Sequence, residues 1–235
     1  IPHMDSDPAS IIEKLTKAWR FFYQRGFIEG FGHISARSTA PGKFYLSRHS
    51  LGIETQPDDF LLMDLEGRLL SGKGSPPGEF PIHTEIYRKR PDVGSILHFH
   101  GLYCTAFTMS GRTLRPCYFL SSIFRDGIPL HPDSRLVSSK ERGESMVRTL
   151  EKHRAVLLKA HGVVVTGKDI EEMVANSFIL EDNAHRTWVS ASLGEPVELD
   201  PEVMAEVEEE FLKNRGPFGR IWALCESEAK EGGKE

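Results

Sequence analysis

Gly94-Ser95-Ile96-Leu97-His98-Phe99-His100-Gly101 is the stretch from which the rest of this chain is read. Ser95–Phe99 has the composition of a short buried strand closed by a glycine. Side chains on a strand alternate between its faces, so Ile96, His98 and His100 share one face. Two imidazoles at that spacing can grip one metal ion. A matching context lies downstream in Leu157-Leu158-Lys159-Ala160-His161-Gly162, where a histidine again follows an apolar run and precedes a glycine. A lone His-x-His is weak evidence, since histidines also line polar pockets and hydrogen-bond inside cores. Glu79 adds a carboxylate at the start of a helix, where the N-terminus stabilises an anion. Three strand-end histidines and that carboxylate describe an open divalent-metal site, the kind that serves catalysis.

Composition narrows the setting. The chain has 235 residues, 39% of them hydrophobic, and a net charge of −5. Length and apolar content fit one domain with a proper core. Acidic and basic residues are interspersed, which argues against nucleic-acid and membrane-surface partners. No apolar run reaches the ~20 residues needed to span a bilayer, and no signal peptide is visible. The cysteines Cys104, Cys117 and Cys225 show no CxxC spacing and read as free thiols of a reducing cytoplasm. Ile1-Pro2-His3 ahead of Met4 reads as a cloning scar, residues 4–225 as one domain, and residues 226–235 as a flexible polar tail.

Working outward, Asp7-Pro8 starts a helix whose Ile11, Ile12, Leu15, Trp19 and Phe22 share a face, with Gly26 as its stop. Short strands are expected over residues 33–37, 43–47 and 59–64. Glu79–Arg90 reads as a helix, with Pro81 tolerable only in its first turn. Helices are expected over residues 102–109, 141–152 and 198–214, and strands over 155–159 and 163–166. Asp169 caps a long helix to about Leu193, with Met173, Ala175, Phe178, Ile179 and Trp188 expected in the core. This order lacks regular βαβ alternation. It predicts a layered α/β/α arrangement around a mostly antiparallel sheet.

The run from Gly78-Glu79 through Arg90-Pro91-Asp92 to His98-Phe99-His100 resembles the signature of the class II aldolase/adducin family. Ala160-His161-Gly162 matches the family's third ligand, and Gly32-His33-Ile34-Ser35-Ala36-Arg37 its Gly-Asn-x-Ser-x-Arg loop. The resemblance spans about residues 10–215. It implies an α/β/α sandwich assembled as a cyclic homotetramer with sites at subunit interfaces. It also implies one divalent metal per subunit, zinc or manganese before iron or cobalt, held by His98, His100, His161 and Glu79. Glu79 then doubles as acid/base, and Tyr118 matches a tyrosine that reaches the neighbouring site as a proton donor. Phe218 and Trp222 fall where the family closes its pocket.

The chain departs from the sugar-phosphate pattern around these ligands. Pro77-Gly78 stands where a Ser-Ser pair holds phosphate, His33 stands for the Asn, and the early loop reads Leu46-Ser47-Arg48-His49-Ser50. Proline lacks both a hydroxyl and a backbone donor, so no phosphate pocket of the usual kind is expected. Arg48 and Arg37 offer forks for a substrate carboxylate, unless surface ion pairs occupy them. Ser35 reads as a substrate contact or a turn hydroxyl. His83, one turn after Glu79, reads as a partner orienting it or as a buried structural histidine, and Glu181 as a pocket candidate.

This branch resembles decarboxylases of hydroxylated aromatic or pyridine dicarboxylates. The implied activity is a metal-dependent lyase acting on a small, unphosphorylated, carboxylate-bearing substrate through a metal-stabilised enolate. An aldolase for a sugar or hydroxy-keto acid, a non-haem iron oxygenase and a non-catalytic adducin-like domain are the alternatives.

Overall fold

The computed structural model describes residues 7–231. Its helices are α1 (Pro8–Gln24), α2 (Pro81–Lys89), α3 (Leu102–Ser110), α4 (Lys140–Leu150), α5 (Ile170–Leu193), α6 (Pro201–Asn214) and α7 (Gly216–Glu231). Its strands are β1 (His33–Arg37), β2 (Lys43–Ser47), β3 (Phe60–Asp64), β4 (Leu69–Ser71), β5 (Ser95–Phe99), β6 (Leu130–His131), β7 (Ala155–Leu158) and β8 (Gly162–Gly167). The strands form one sheet in the order β4-β3-β2-β1-β5-β8-β7-β6. Every pairing is antiparallel except that of β6 with β7. The expected three-layer α/β/α sandwich is what the chain forms.

Strand alternation sorts the core into two halves. Leu97, Phe99, Val163 and Val165 face one cluster, built with Leu15, Trp19 and Phe22 of α1 and Ile179 of α5. Ile96, Val156 and Val164 face the other, built with Ile82 and Ile86 of α2 and Met146 of α4. Each large side chain so buried contributes roughly 1.5–3 kcal/mol. Ile34 and Ala36 of β1 belong to the first cluster. His33 and Ser35 therefore look the other way, toward α2, on the same face as Ile96 and His98. The cross-strand register confirms this, with His33 opposite His98 and Ser35 opposite Ile96.

Three expectations need correction. Helix α2 begins at Pro81 rather than Glu79, so Glu79 sits in the turn before it, where its carbonyl accepts from the Ile82 amide at 3.0 Å. Trp188 is 59% exposed instead of buried. The continuous core stripe of α5 ends at Thr187, and beyond it Trp188 packs only against Tyr103 and His185 among the described rings. The segment expected to fray from Glu226 continues α7 to Glu231, with Ala229 buried. Residues 1–3, read as a scar, and residues 232–235 of the expected tail lie outside the described residues.

Candidate metal centre

The site forms where β5 ends beside the start of β8, in the middle of the sheet. Strand pleat puts His98 on the α2 side, and His100 follows at the strand's exit. His161 comes from the tight turn between β7 and β8, in which Ala160 adopts a left-handed φ of 51°. The Ala160 amide donates to Thr108 Oγ1 at 2.9 Å, tying that turn to α3. Gly162 makes the approach possible. A Cβ there would lie 2.6 Å from the Phe99 carbonyl oxygen and 2.7 Å from the His100 ring.

The three rings form a nearly equilateral triangle, with centroid separations of 5.0, 5.1 and 5.1 Å. One donor atom from each lies within 4.8 Å of the others. His98 Nε2 and His100 Nε2 are 3.2 Å apart. Glu79 Oε2 lies 3.6 Å from His98 Nε2 and 3.5 Å from His161 Nε2. A tetrahedral ion with bonds of 2.0–2.1 Å requires ligand atoms about 3.4 Å apart, so the spacing fits one. The buried Nε2 of His161, on the side of Glu79, has no hydrogen-bond partner, and a bound cation would provide one.

Surrounding groups hold these side chains in states a metal ion could use. His98 Nδ1 lies 3.0 Å from the Val163 carbonyl oxygen. An N–H there leaves Nε2 bare for coordination. Burial lowers the His98 pKa to about 3 against the opposing pull of Glu79. The His100 pKa is lowered too, by burial and by His161. Burial raises the Glu79 pKa, but His161 and His98 beside it and the Val137 amide outweigh burial and bring it to about 2. That amide donates to Glu79 Oε1 at 2.7 Å. Neutral imidazoles and an ionised carboxylate are the forms a divalent ion requires.

Comparison with known proteins fits this geometry. Residues 13–188 match the Class II Aldolase and Adducin N-terminal domain. The chain belongs to that family. It is 29% identical over 185 residues to an L-fuculose phosphate aldolase of Methanococcus maripaludis, covering 78% of this chain and 99% of that one. It is 28% identical over 196 residues to a 3,4-dihydroxyphthalate decarboxylase of Arthrobacter keyseri, covering 77% and 79%. The solved structure of an L-fuculose 1-phosphate aldolase from Glaciozyma antarctica shares the fold, with a TM-score of 0.84 at 22% identity over 100% of this chain and 97% of that one.

The residues expected to bind substrate in this class II aldolase-family chain are gathered less uniformly than the four expected ligands. His33 joins the site, with a donor atom within 4.8 Å of donor atoms of Glu79 and His98. Ser35 is fully buried and its hydroxyl is engaged by His83 and Tyr87, at 2.6 and 2.8 Å. Arg37 binds the carbonyl oxygens of Tyr87, Arg90 and Val93, capping the end of α2. Arg48 pairs with Asp59 at 2.7 Å, is about one-third exposed, and packs against the Gly74 backbone. That contact puts it beside the loop leading to Glu79. Phe218 and Trp222 are buried in the α1/α5 core cluster, because α7 turns its apolar face inward. Tyr118 lies under the Arg186 guanidinium, 4.9 Å from ring centroid to charge, and burial and Asp182 push its phenol up.

Other residues emerge only in three dimensions. His83 contacts His33 and Ser35 rather than orienting Glu79. Tyr87 completes that group; its sequence signal is a polar pair four apart on the face of α2 that meets the sheet. Val137 carries no local signal, since it reaches Glu79 from a distant loop. Glu181 accepts from the amides of Tyr103 and Cys104, at 2.7 and 3.1 Å, and so caps α3 instead of lining the site.

Proposed function

We propose that this chain is a metal-dependent carbon–carbon lyase that decarboxylates a hydroxylated aromatic or pyridine dicarboxylate. The observation that carries the lyase reading is the His98–His100–His161–Glu79 constellation at tetrahedral spacing. A divalent ion held there, zinc or manganese before iron or cobalt, supplies Lewis acidity for the electron pair left when a carbon–carbon bond breaks. Glu79, ionised near neutral pH, accepts or relays a proton in the site. Tyr118 of a neighbouring subunit is the proposed donor to the carbon that loses CO2.

The choice of decarboxylation rests on the loops around the ligands. Pro77-Gly78 supplies neither hydroxyl for a phosphate, and His33 replaces an amide with an imidazole. Arg48, beside the approach to Glu79, gives Nε to Asp59 and Nη1 to the His49 carbonyl, and its Nη2 is the proposed anchor for a second carboxylate. The Arthrobacter keyseri relative is named for such a reaction. An aldol cleavage is the second reading, favoured by the Methanococcus maripaludis relative, which this chain matches over 99% of its length.

A homotetramer with sites at its interfaces is part of the proposal. The exposed Leu102, Met109, Trp188 and Leu193 supply apolar surface for it. No helix among the described residues is long and apolar enough to cross a membrane, and cytoplasmic residence is proposed. The deciding assay loads the protein with zinc, manganese or iron and offers hydroxylated aromatic dicarboxylates or short sugar acids. CO2 release without oxygen uptake supports the proposal. Aldehyde release supports the aldolase reading, and oxygen consumption an oxygenase.

A further inference from the structure

His33, Ser35, His83 and Tyr87 form a buried line that no step above uses. They come from one face of β1 and one face of α2, and none is more than 4% exposed. His33 Nδ1 lies 2.6 Å from His83 Nε2, and His83 Nδ1 lies 2.6 Å from Ser35 Oγ. Ser35 Oγ in turn lies 2.8 Å from the Tyr87 hydroxyl. The line ends at Tyr87, and Ser35 is the one hydrogen-bond partner of its hydroxyl among the described residues.

Each link carries one hydrogen, so the line can point in two directions. If His33 donates to His83, then His83 donates to Ser35, which shares one further hydrogen bond with Tyr87 in either sense. One hydroxyl hydrogen, that of Tyr87 or of Ser35, is then buried without an acceptor, a costly arrangement. In the opposite direction every hydrogen within the line finds an acceptor, and the one left over is at its cavity end, on His33. Tyr87 donates to Ser35 Oγ, Ser35 to His83 Nδ1, and His83 Nε2–H to His33 Nδ1. His33 then carries its proton on Nε2, the buried ring nitrogen left without a partner in the protein. Burial keeps the Tyr87 phenol protonated and the His83 imidazole neutral, as this pattern requires.

We propose that this line fixes His33 as an N–H donor facing the metal cavity, where it receives an anionic oxygen of the substrate, a carboxylate or phenolate. His83, Ser35 and Tyr87 are its positioning residues. The inference rests on the metal-centre reading above and deepens it. It also opposes a natural alternative. Donor atoms of His33, Glu79 and His98 cluster closely enough to suggest His33 as a further metal ligand. That role needs a bare Nε2 and the reverse direction of the line.

The test is nitrogen-15 NMR of histidine-labelled protein, metal-free and zinc-loaded, with His33→Asn assigning the resonances. The expected result is a protonated Nε2 and bare Nδ1 on His33 in both states. A bare Nε2 in either state overturns the proposal. Ser35→Ala breaks the line and is expected to give a mixture of His33 tautomers. A single unchanged tautomer there overturns the positioning role.

Zinc affinity, read by chelator competition, is expected to stay within about threefold of wild type in His33→Asn and His33→Leu. A loss matching that of His98→Ala makes His33 a ligand and overturns the proposal. Oxalate serves as the anionic probe on zinc-loaded protein. Its affinity is expected to fall about tenfold in His33→Leu, with part of it kept in His33→Asn. Oxalate affinity unchanged in His33→Leu overturns the donor role. Failure of the wild type to bind zinc overturns the lyase reading instead, and the tautomer of the metal-free protein still decides the direction of the line.

Discussion

The candidate ligand cluster and the wall around it teach different things. His98, His100 and His161 stand where strand pleat and a tight turn put them, and their neighbours in sequence suffice to foresee it. The wall depends on which distant carbonyl or carboxylate reaches each side chain first. Arg37 offers a fork suited to a carboxylate, yet the open carbonyls at the end of α2 take it. Ser35 offers a hydroxyl, yet His83 and Tyr87 take it. Residues that chelate need only a shared face. Residues that bind substrate must also be left unspent by the fold.

The largest effect expected from this contrast is at the ligands. Alanine at His98, His100 or His161 should lower zinc affinity by more than about 100-fold and abolish turnover, read by chelator competition and rate. Retained metal in any of the three would break the cluster. Glu79→Gln should keep the fold and cut kcat by about 10²-fold or more, as loss of a proton-moving group does.

Gly162→Ala tests the turn that delivers His161. Its added methyl meets the Phe99 carbonyl and the His100 ring. It should destabilise by roughly 1–3 kcal/mol in urea titration and weaken metal binding as well. On the wall, Phe218→Ala should cost about 3–5 kcal/mol of stability, and Arg37→Ala should also destabilise. Both should leave KM unchanged, whereas Arg48→Ala should raise KM. An Arg37→Ala variant with normal stability and a raised KM would return that arginine to the substrate.

The smallest effect is on pH dependence. His83 and His98 have pKa values lowered to about 3 by burial. In the unfolded chain a histidine titrates near 6.5, so the native state binds fewer protons below that value. Their contribution to stability is complete above about pH 6.5 and is lost as pH falls toward 3. The melting temperature of metal-free protein should therefore drop between pH 7.5 and 5, and less steeply in His83→Gln.

Legibility in the sequence followed the same division. The strands β1, β2 and β5 coincide with the short strand-like runs that predict them, and Asp169 caps α5 as expected, accepting from the Glu172 amide. Periodicity is local information, and it survives folding. Trp188 shows its limit, because a helix stripe does not say where the sheet beneath it ends. Phe218 and Trp222 show another: an aromatic run on an amphipathic helix serves a core as well as a pocket. His83 and Tyr87 were visible only as a spacing on α2. Their partners on β1 are set by the β1–β5 register, which no local pattern discloses.

The central claim is that four side chains of this chain hold a divalent ion on which its chemistry depends. Its most direct test is metal content and turnover of the same preparation, measured before chelation, after chelation, and after restoring zinc or manganese. The account predicts one divalent ion per chain, activity lost on stripping and recovered on reloading. Undiminished turnover in metal-free protein would contradict it.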